Sequence, residues 1–246
     1  YGPRRFKVKE KLSESELVSS FVLVPTDGEA VVDYQPGQYL GVKVKPAYSD
    51  YYEIRQYSLS DKPNGQSYRI SVKRELGEVA GLVSNYLHNH IQVGDELDIL
   101  PPAGDFFLQS AHLPTVLISA GVGLTPMLSM LESIVALKQQ TPVFFLHACE
   151  NQQQHSFAQR ISQLQQDYPL LHNFTWYNKA EQNTAATQFT GLMDLKAVAA
   201  QLPLQSANFY LCGPTGFMKF AKDQLLALGV ASAQIHYEVF GPHSDL

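Results

Sequence analysis

Only two cysteines, Cys149 and Cys212, occur in 246 residues. Two thiols exclude a four-thiolate iron–sulfur centre and argue against a disulfide framework, and no His, Cys, Asp or Glu cluster shows metal-ligand spacing. Such sparse cysteine suits a reducing compartment, so the chain is expected in the cytoplasm. No apolar run approaches the roughly 20 residues that a membrane span needs. No basic stretch leading into an apolar core opens the chain, and no signal peptide is expected. Positive charge is scarce as well. Lys and Arg number 18 against 23 Asp and Glu, a net charge of −5. That excludes the basic face that nonspecific nucleic-acid binding requires. There is no internal repeat and no low-complexity tract, Gln152-Gln153-Gln154 being too short to count.

What remains is a globular composition, 45% apolar and 17% charged, long enough to bury one large core or two small ones. The first hundred residues read as β. Short β-prone runs cover 6–11, 17–25, 38–44, 54–60, 68–73 and 96–100, parted by turn signals such as Asp27-Gly28, Pro36-Gly37 and Gly94-Asp95. Six such strands predict a small antiparallel barrel, with one helical interruption over 82–90. The stretch from Pro101 to Asp105 breaks the β pattern.

Beyond about Leu113 the rhythm becomes strand–helix alternation. Residues 115–119, 142–148 and 208–212 are continuous apolar runs, as in strands buried on both faces. Shorter strands are expected over 174–177 and 235–240. Met127, Leu128, Met130, Leu131, Ile134, Val135 and Leu137 recur at amphipathic helical spacing, as do Phe157, Ile161 and Leu164. Phe217, Phe220, Ala221, Leu225 and Leu228 mark a last helix that Gly229 stops. The expected fold is therefore β followed by α/β. Residues 1–110 form a six-stranded antiparallel barrel and residues 111–246 a parallel-sheet α/β domain, with the boundary near 108–114.

Three motifs sit along this frame. In Gly121-Val122-Gly123-Leu124-Thr125-Pro126 an apolar strand meets a helix. Thr125 suits the N-cap, Pro126 the first helical position, and the two glycines allow backbone to approach a ligand. Free amides at a helix N-terminus attract phosphate, although the same letters also serve a plain packing turn. Arg55-Gln56-Tyr57-Ser58 lies on a strand, where Arg55 offers phosphate a planar fork. Alternation sets Arg55 and Tyr57 opposite Gln56 and Ser58, and alone the run also reads as an ordinary strand with a surface arginine. Cys212-Gly213-Pro214 ends a parallel strand, the edge where open α/β sheets bind ligands, yet a buried thiol is the plainer reading of Cys212. Residues 81–85 open the short helix and offer a second set of amides. Glu238, flanked by aromatics, reads on its own as an edge-strand charge. His88-Asn89-His90 reads as a helix end.

Together and in this order the motifs resemble the ferredoxin–NADP reductase superfamily, and within it the reductase half of flavohemoglobins, also called nitric oxide dioxygenases. The resemblance covers essentially the whole chain, and the closing Phe240-Gly241-Pro242-His243 is especially family-like. It implies that FAD is held by Tyr39, Arg55, Gln56, Tyr57 and Ser58, with Val83 and Ser84 at the helix start. Arg55 would meet the pyrophosphate, while Tyr57 and Ser58 would line the isoalloxazine. Val239, Phe240, Gly241 and Pro242 would close over the flavin, with Glu238 beside it. Gly121, Val122, Gly123, Leu124, Thr125 and Pro126 would hold the nicotinamide dinucleotide, and Cys212, Gly213 and Pro214 would lie near the nicotinamide. Tyr57, Ser58, Cys212 and Glu238 are the residues expected at the reacting centre.

The implied activity carries electrons from NADH through FAD to a haem globin domain, which converts nitric oxide to nitrate. The chain departs from that pattern twice. The loop over 76–80 is longer than usual, and no globin is present. Tyr1-Gly2-Pro3-Arg4-Arg5 resembles the linker into the reductase half, so either a shortened piece or a free-standing reductase is expected, with haem only in the missing domain. Glu150, after the second α/β strand, suits a ribose 2′-hydroxyl and repels a 2′-phosphate, and no arginine follows until Arg160; NADH is expected over NADPH. Two other functions fit the letters: a free-standing NAD(P)H:flavin oxidoreductase, and a non-catalytic nucleotide-binding docking domain.

Overall fold

The computed structural model describes residues 2–47, 49–77, 81–109, 112–179 and 185–240. In the N-terminal half, strands β1 (Arg4–Ser13), β2 (Val18–Pro25), β3 (Tyr39–Val44), β4 (Glu53–Ser58), β5 (Tyr68–Lys73) and β6 (Glu96–Ala103) form one antiparallel sheet. Its order is β4-β3-β6-β1-β2-β5. A bridge between Leu59 and Ile70 ties the two outer strands, so the sheet curls on itself as expected of a barrel. Alternation does the work. In β1, Phe6 and Val8 are buried while Arg5, Lys7 and Lys9 face water. Helix α1 (Leu82–His90) covers one end through Val83 and Leu87. Lys11 Nζ caps its last turn, donating to the carbonyls of His88 and Ile91 at 2.7 and 2.8 Å. The same turn holds His88, whose Nε2 lies 2.6 Å from the Val72 carbonyl, so His88-Asn89-His90 is indeed a helix end.

The C-terminal half is a parallel sheet of β7 (Thr115–Ala120), β8 (Val143–Cys149), β9 (Leu171–Tyr177), β10 (Gln188–Thr190), β11 (Asn208–Cys212) and β12 (Ile235–Glu238). Their order is β10-β9-β8-β7-β11-β12. The chain runs outward from β7 to β10, then restarts on the other side of β7 at β11. The carboxyl ends of β7 and β11 thus flank the point where strand order reverses. Helices α2 (Leu124–Leu137), α3 (Ala158–Asp167) and α4 (Thr215–Ala227) pack on this sheet. Gly229 takes φ +91° just past α4, and Val230 N returns to the Leu225 carbonyl at 3.0 Å, the helix stop expected.

Several sequence expectations need correction. Strand β6 does not end before the prolines. Its pairing with β3 shifts register between Gly41↔Leu100 and Tyr39↔Ala103, and Pro101 and Pro102 occupy that bulge, where ladder donors are not needed. Strand β9 starts at Leu171 rather than 174, and β12 stops at Glu238 rather than 240. Strand β10 was not anticipated; three residues carry no periodicity, and Phe189 is placed by stacking on Trp176 at 4.7 Å. Helix α2 is not amphipathic over most of its length: every residue from Leu124 to Ile134 is buried. One side lies on the parallel sheet and another meets the barrel, where Ser129 Oγ donates to the Asp61 carbonyl at 2.7 Å. At Gly37 (φ +112°) a Cβ would sit 2.7 Å from the Phe106 carbonyl oxygen and 2.9 Å from Phe107 Cα, so only glycine fits against that backbone. The Arg69 guanidinium lies 5.1 Å over the Phe157 ring, and Glu16 N donates to the Gln153 carbonyl at 3.0 Å across the same joint.

Candidate functional site

Strand β4 brings its motif to a cleft at the joint. Arg55, Gln56, Tyr57 and Ser58 line it with Ser71 and Ser84 from the barrel side and Val122, Thr125 and Phe240 from the other half. Arg55 uses one nitrogen, Nη1, which donates to Glu53 Oε2 at 3.1 Å and to the Ile54 carbonyl at 3.0 Å. The rest of its fork makes no hydrogen bond among the described residues. Tyr57 packs on the barrel core, and burial raises its hydroxyl pKa. Tyr39 stands opposite Ser58 in the β3–β4 register.

Ser58 is the exception among the buried serines of the barrel. Ser20, Ser60 and Ser71 form a hydrogen-bonded row, with Ser20–Ser71 at 2.7 Å and Ser71–Ser60 at 2.9 Å. Ser84 Oγ accepts from Glu75 N at 3.0 Å. Ser58 Oγ is buried with no partner. An unpaired buried hydroxyl costs about 1–3 kcal/mol, so its persistence at a cleft wall points to a group outside the chain. At the start of α1, Val83 belongs to the barrel core and the Ser84 hydroxyl is spent on backbone. Main-chain amides at this helix start are available to meet a ligand.

Across the joint, Gly121–Gly123 forms a 3-10 turn and α2 begins at Leu124. Gly123, not Thr125, holds the cap position; Thr125 lies inside the helix and Pro126 after it. Thr125 Oγ1 donates to the Val122 carbonyl at 3.1 Å instead of accepting an amide. The turn sits where it does because of backbone contact. A Cβ on Gly123 would collide with the Cys212 carbonyl oxygen and lie 2.6 Å from its carbon and 2.7 Å from Gly213 Cα. The Gly121 turn and Cys212-Gly213-Pro214 thus form the two lips of the strand-order reversal.

Cys212 is fully buried, and burial with the neighbouring Glu238 charge pushes its thiol well up, so it is no nucleophile near neutral pH. Glu238 is paired beside Cys212 at the end of edge strand β12. Burial, then the charge of Asp105, raises its carboxyl to about 7. Val239 packs on the α/β core and Phe240 reaches the barrel cleft. Gly241 and Pro242 lie outside the described residues.

A second crevice of about 430 Å³ opens over the carboxyl ends of β7 and β8, lined by Gly121, Glu150, Asn178, Leu192, Phe217 and Phe220 among others. Leu192 is 75% exposed, unusual for so large an apolar group, and faces this space with Phe220. Glu150 is not a lone carboxylate there: Lys179 Nζ lies 3.0 Å from Oε1, and Asn178 Nδ2 donates to Oε2 at 3.2 Å. Sequence reasoning looked along the loop after Glu150 and missed both partners, which arrive from the next strand. A largely buried polar row across β7, β8 and β9 is likewise not visible in the sequence. Ser119 Oγ lies 2.8 Å from His147 Nδ1, His147 stacks on His155 at 5.4 Å, and His155 Nδ1 lies 2.7 Å from the Tyr177 hydroxyl. Burial pushes His155 down to about 4 and His147 well below its ordinary value. Both rings are neutral at neutral pH. Among the described residues no group of three His, Cys, Asp or Glu is placed to hold a metal, and no helix is long and apolar enough to cross a membrane.

The cleft beside β4 and the crevice over the parallel sheet lie in two halves that each match a cofactor-binding family, which makes the chain an FAD- and NAD-binding oxidoreductase. Residues 5–108 match the oxidoreductase FAD-binding domain and residues 117–223 the oxidoreductase NAD-binding domain. The chain is 51% identical over 245 residues to the flavohemoprotein of Vibrio cholerae serotype O1, covering 99% of this chain and 60% of that protein. It is 47% identical over 250 residues to the flavohemoprotein of Rhizobium meliloti, covering 98% and 61%. It superposes, with a TM-score of 0.90 and 50% identity, on the crystal structure of the flavohem-like FAD/NAD-binding domain of nitric oxide dioxygenase from Vibrio cholerae O1, covering 98% of this chain and all of that one. The chain belongs to the flavohemoprotein family and corresponds to its FAD/NAD reductase portion. It spans about three-fifths of the length of the two relatives.

Proposed function

We propose that the chain takes hydride from NADH onto FAD and delivers electrons to a haem globin domain that dioxygenates nitric oxide. The reading is carried by Ser58 Oγ, a buried hydroxyl without a protein partner, opposite Tyr39 in register and in a cleft that Arg55 and Tyr57 also line. A polar ring edge supplies what that hydroxyl lacks, and an open guanidinium fork suits a pyrophosphate. When bound, FAD supplies the conversion of a two-electron donor into single electrons.

The chain's own residues do the rest. Arg55 and the amides around Val83 and Ser84 bind phosphate; Tyr39, Gln56 and Tyr57 fix the ring system, and Ser58 hydrogen-bonds its edge. Gly121, Val122, Gly123, Leu124, Thr125 and Pro126 hold the dinucleotide, whose nicotinamide end meets Cys212, Gly213 and Pro214. Glu238, its carboxyl raised to about 7, exchanges a proton near neutral pH beside the reacting centre. Val239, Phe240, Gly241 and Pro242 cover the flavin and exclude water. Glu150 favours NADH through the ribose hydroxyls. We divide the chain between residues 110 and 111, one cofactor to each side, and place the protein in the cytoplasm.

The test is an absorbance spectrum of the purified, FAD-loaded chain followed by anaerobic NADH. A retained flavin band that bleaches, and FAD-dependent reduction of a separately supplied ferric haem globin, are expected. Flavin lost on dialysis would favour a free-standing flavin oxidoreductase. No flavin band after reconstitution would favour a docking domain.

A further inference from the structure

Strands β8 and β9 end in step, with Cys149 paired to Tyr177. Their pairing continues one step into the loops. Asn178 N donates to the Cys149 carbonyl at 3.0 Å, and Lys179 N to the Glu150 carbonyl at 2.8 Å. This backbone ladder fixes which side chains meet Glu150 at the ends of β8 and β9. It sets Glu150 into the crevice wall with both carboxylate oxygens engaged, one by Lys179 Nζ at 3.0 Å and one by Asn178 Nδ2 at 3.2 Å.

A lone carboxylate at this place repels a 2′-phosphate. A carboxylate paired with an ammonium does not act as a lone charge. Lys179 is 76% exposed at its side chain and Glu150 36%, so the pair is solvent-screened and readily exchanged. An arriving phosphate dianion is a stronger partner for an ammonium than one screened carboxylate. Asn178, which donates to Glu150 now, remains to hold the carboxylate when the lysine swings away.

We propose that Lys179 is a specificity-determining residue that admits a 2′-phosphorylated nicotinamide dinucleotide, so that donor choice is set by the Glu150–Lys179 pair and not by Glu150 alone. The two donors would use opposite arrangements of one rim. With NADH the pair stays closed and Glu150 accepts from the ribose hydroxyls. With NADPH the lysine moves onto the phosphate. This rests on the placement of the dinucleotide in the crevice given above.

The test needs no flavin reduction. Binding of adenosine 2′,5′-bisphosphate and of ADP to the FAD-loaded chain is measured by calorimetry, for the unaltered protein, Lys179→Met and Glu150→Gln. The preference for the bisphosphate over ADP should fall about tenfold in Lys179→Met, the scale of one lost charge-assisted phosphate contact, and rise in Glu150→Gln. The ratio of kcat/KM for NADPH to that for NADH, with a soluble electron acceptor, should move in the same directions. Both probes bound with an unchanged ratio in Lys179→Met overturns the proposal while leaving the crevice as the dinucleotide site. Neither probe bound overturns the crevice placement and the proposal together, even where NADH still bleaches the flavin.

Discussion

The two halves of the molecule prepare their clefts by different means. On the barrel, the site is made of side chains. Arg55 and Ser58 sit on one short strand, and the hydroxyl of Ser58 is the only buried serine hydroxyl of the barrel, among the described residues, left without a partner. On the parallel sheet, the site is made of backbone. Gly123 lies against the Cys212–Gly213 peptide, closer than any Cβ allows, and Glu150 meets Lys179 through strand register. A side-chain site loses affinity by degrees when a group is trimmed. A backbone site fails when an atom is added.

Adding an atom should produce the largest effect. Gly123→Ala places a methyl against the Cys212 carbonyl, where no flexible side chain can yield. Strain of about 1–3 kcal/mol is expected in the thermal midpoint, with NADH-dependent flavin reduction lost and FAD retained. Normal reduction kinetics in this variant would show that the two lips need not touch.

Trimming on the barrel side comes next. Arg55→Ala should weaken FAD binding by about 1.5–3 kcal/mol, read as FAD dissociation on dilution, because a phosphate loses a charge-assisted donor. An unchanged dissociation constant would move the pyrophosphate away from β4. Ser58→Ala sharpens the contrast further. Flavin affinity should drop by about 1 kcal/mol, while the flavin-free chain keeps its stability or gains slightly, since the hydroxyl has no protein bond to lose.

The smallest effect is in pH dependence, and its sign differs between two half-buried groups. His155 is held at about 4 against an ordinary 6.5, so the unfolded chain binds the proton first; stability present above the ordinary value is lost as pH falls through 4. Glu238 is held at about 7 against 4.5, so the folded chain binds the proton; the stability it lends at low pH is lost as pH rises through 7. His155→Gln should flatten the acid limb of a urea-midpoint profile and Glu238→Gln the neutral limb. Identical profiles for the two variants would contradict these environments.

Much of this was legible in the chain because strands report their own faces. Arg55 through Ser58 fell on a strand and Cys212 through Pro214 at the end of an apolar run, although all four residues of the first motif line one cleft at the strand's end instead of two faces. The switch from alternating to continuous apolar strands marked the change from barrel to parallel sheet. Features that depend on a neighbour were not legible. Thr125 has the letters of a cap, but the 3-10 turn at Gly121 takes up the first residues and shifts the helix start. Pro101 and Pro102 are strand breakers by type, yet a bulge opposite Leu40 makes room for them. Helix α2 shows an apolar stripe at one period, and only its double packing explains why the rest is buried too. Lys179 is 29 residues beyond Glu150 and becomes its partner only through the β8–β9 register.

The most direct measurement is a crystal structure of the chain loaded with FAD. The account predicts the flavin ring edge within hydrogen-bond distance of Ser58 Oγ, the ring system against Tyr57, and the pyrophosphate at Arg55. A flavin bound elsewhere, with Ser58 Oγ still unpartnered, would contradict it.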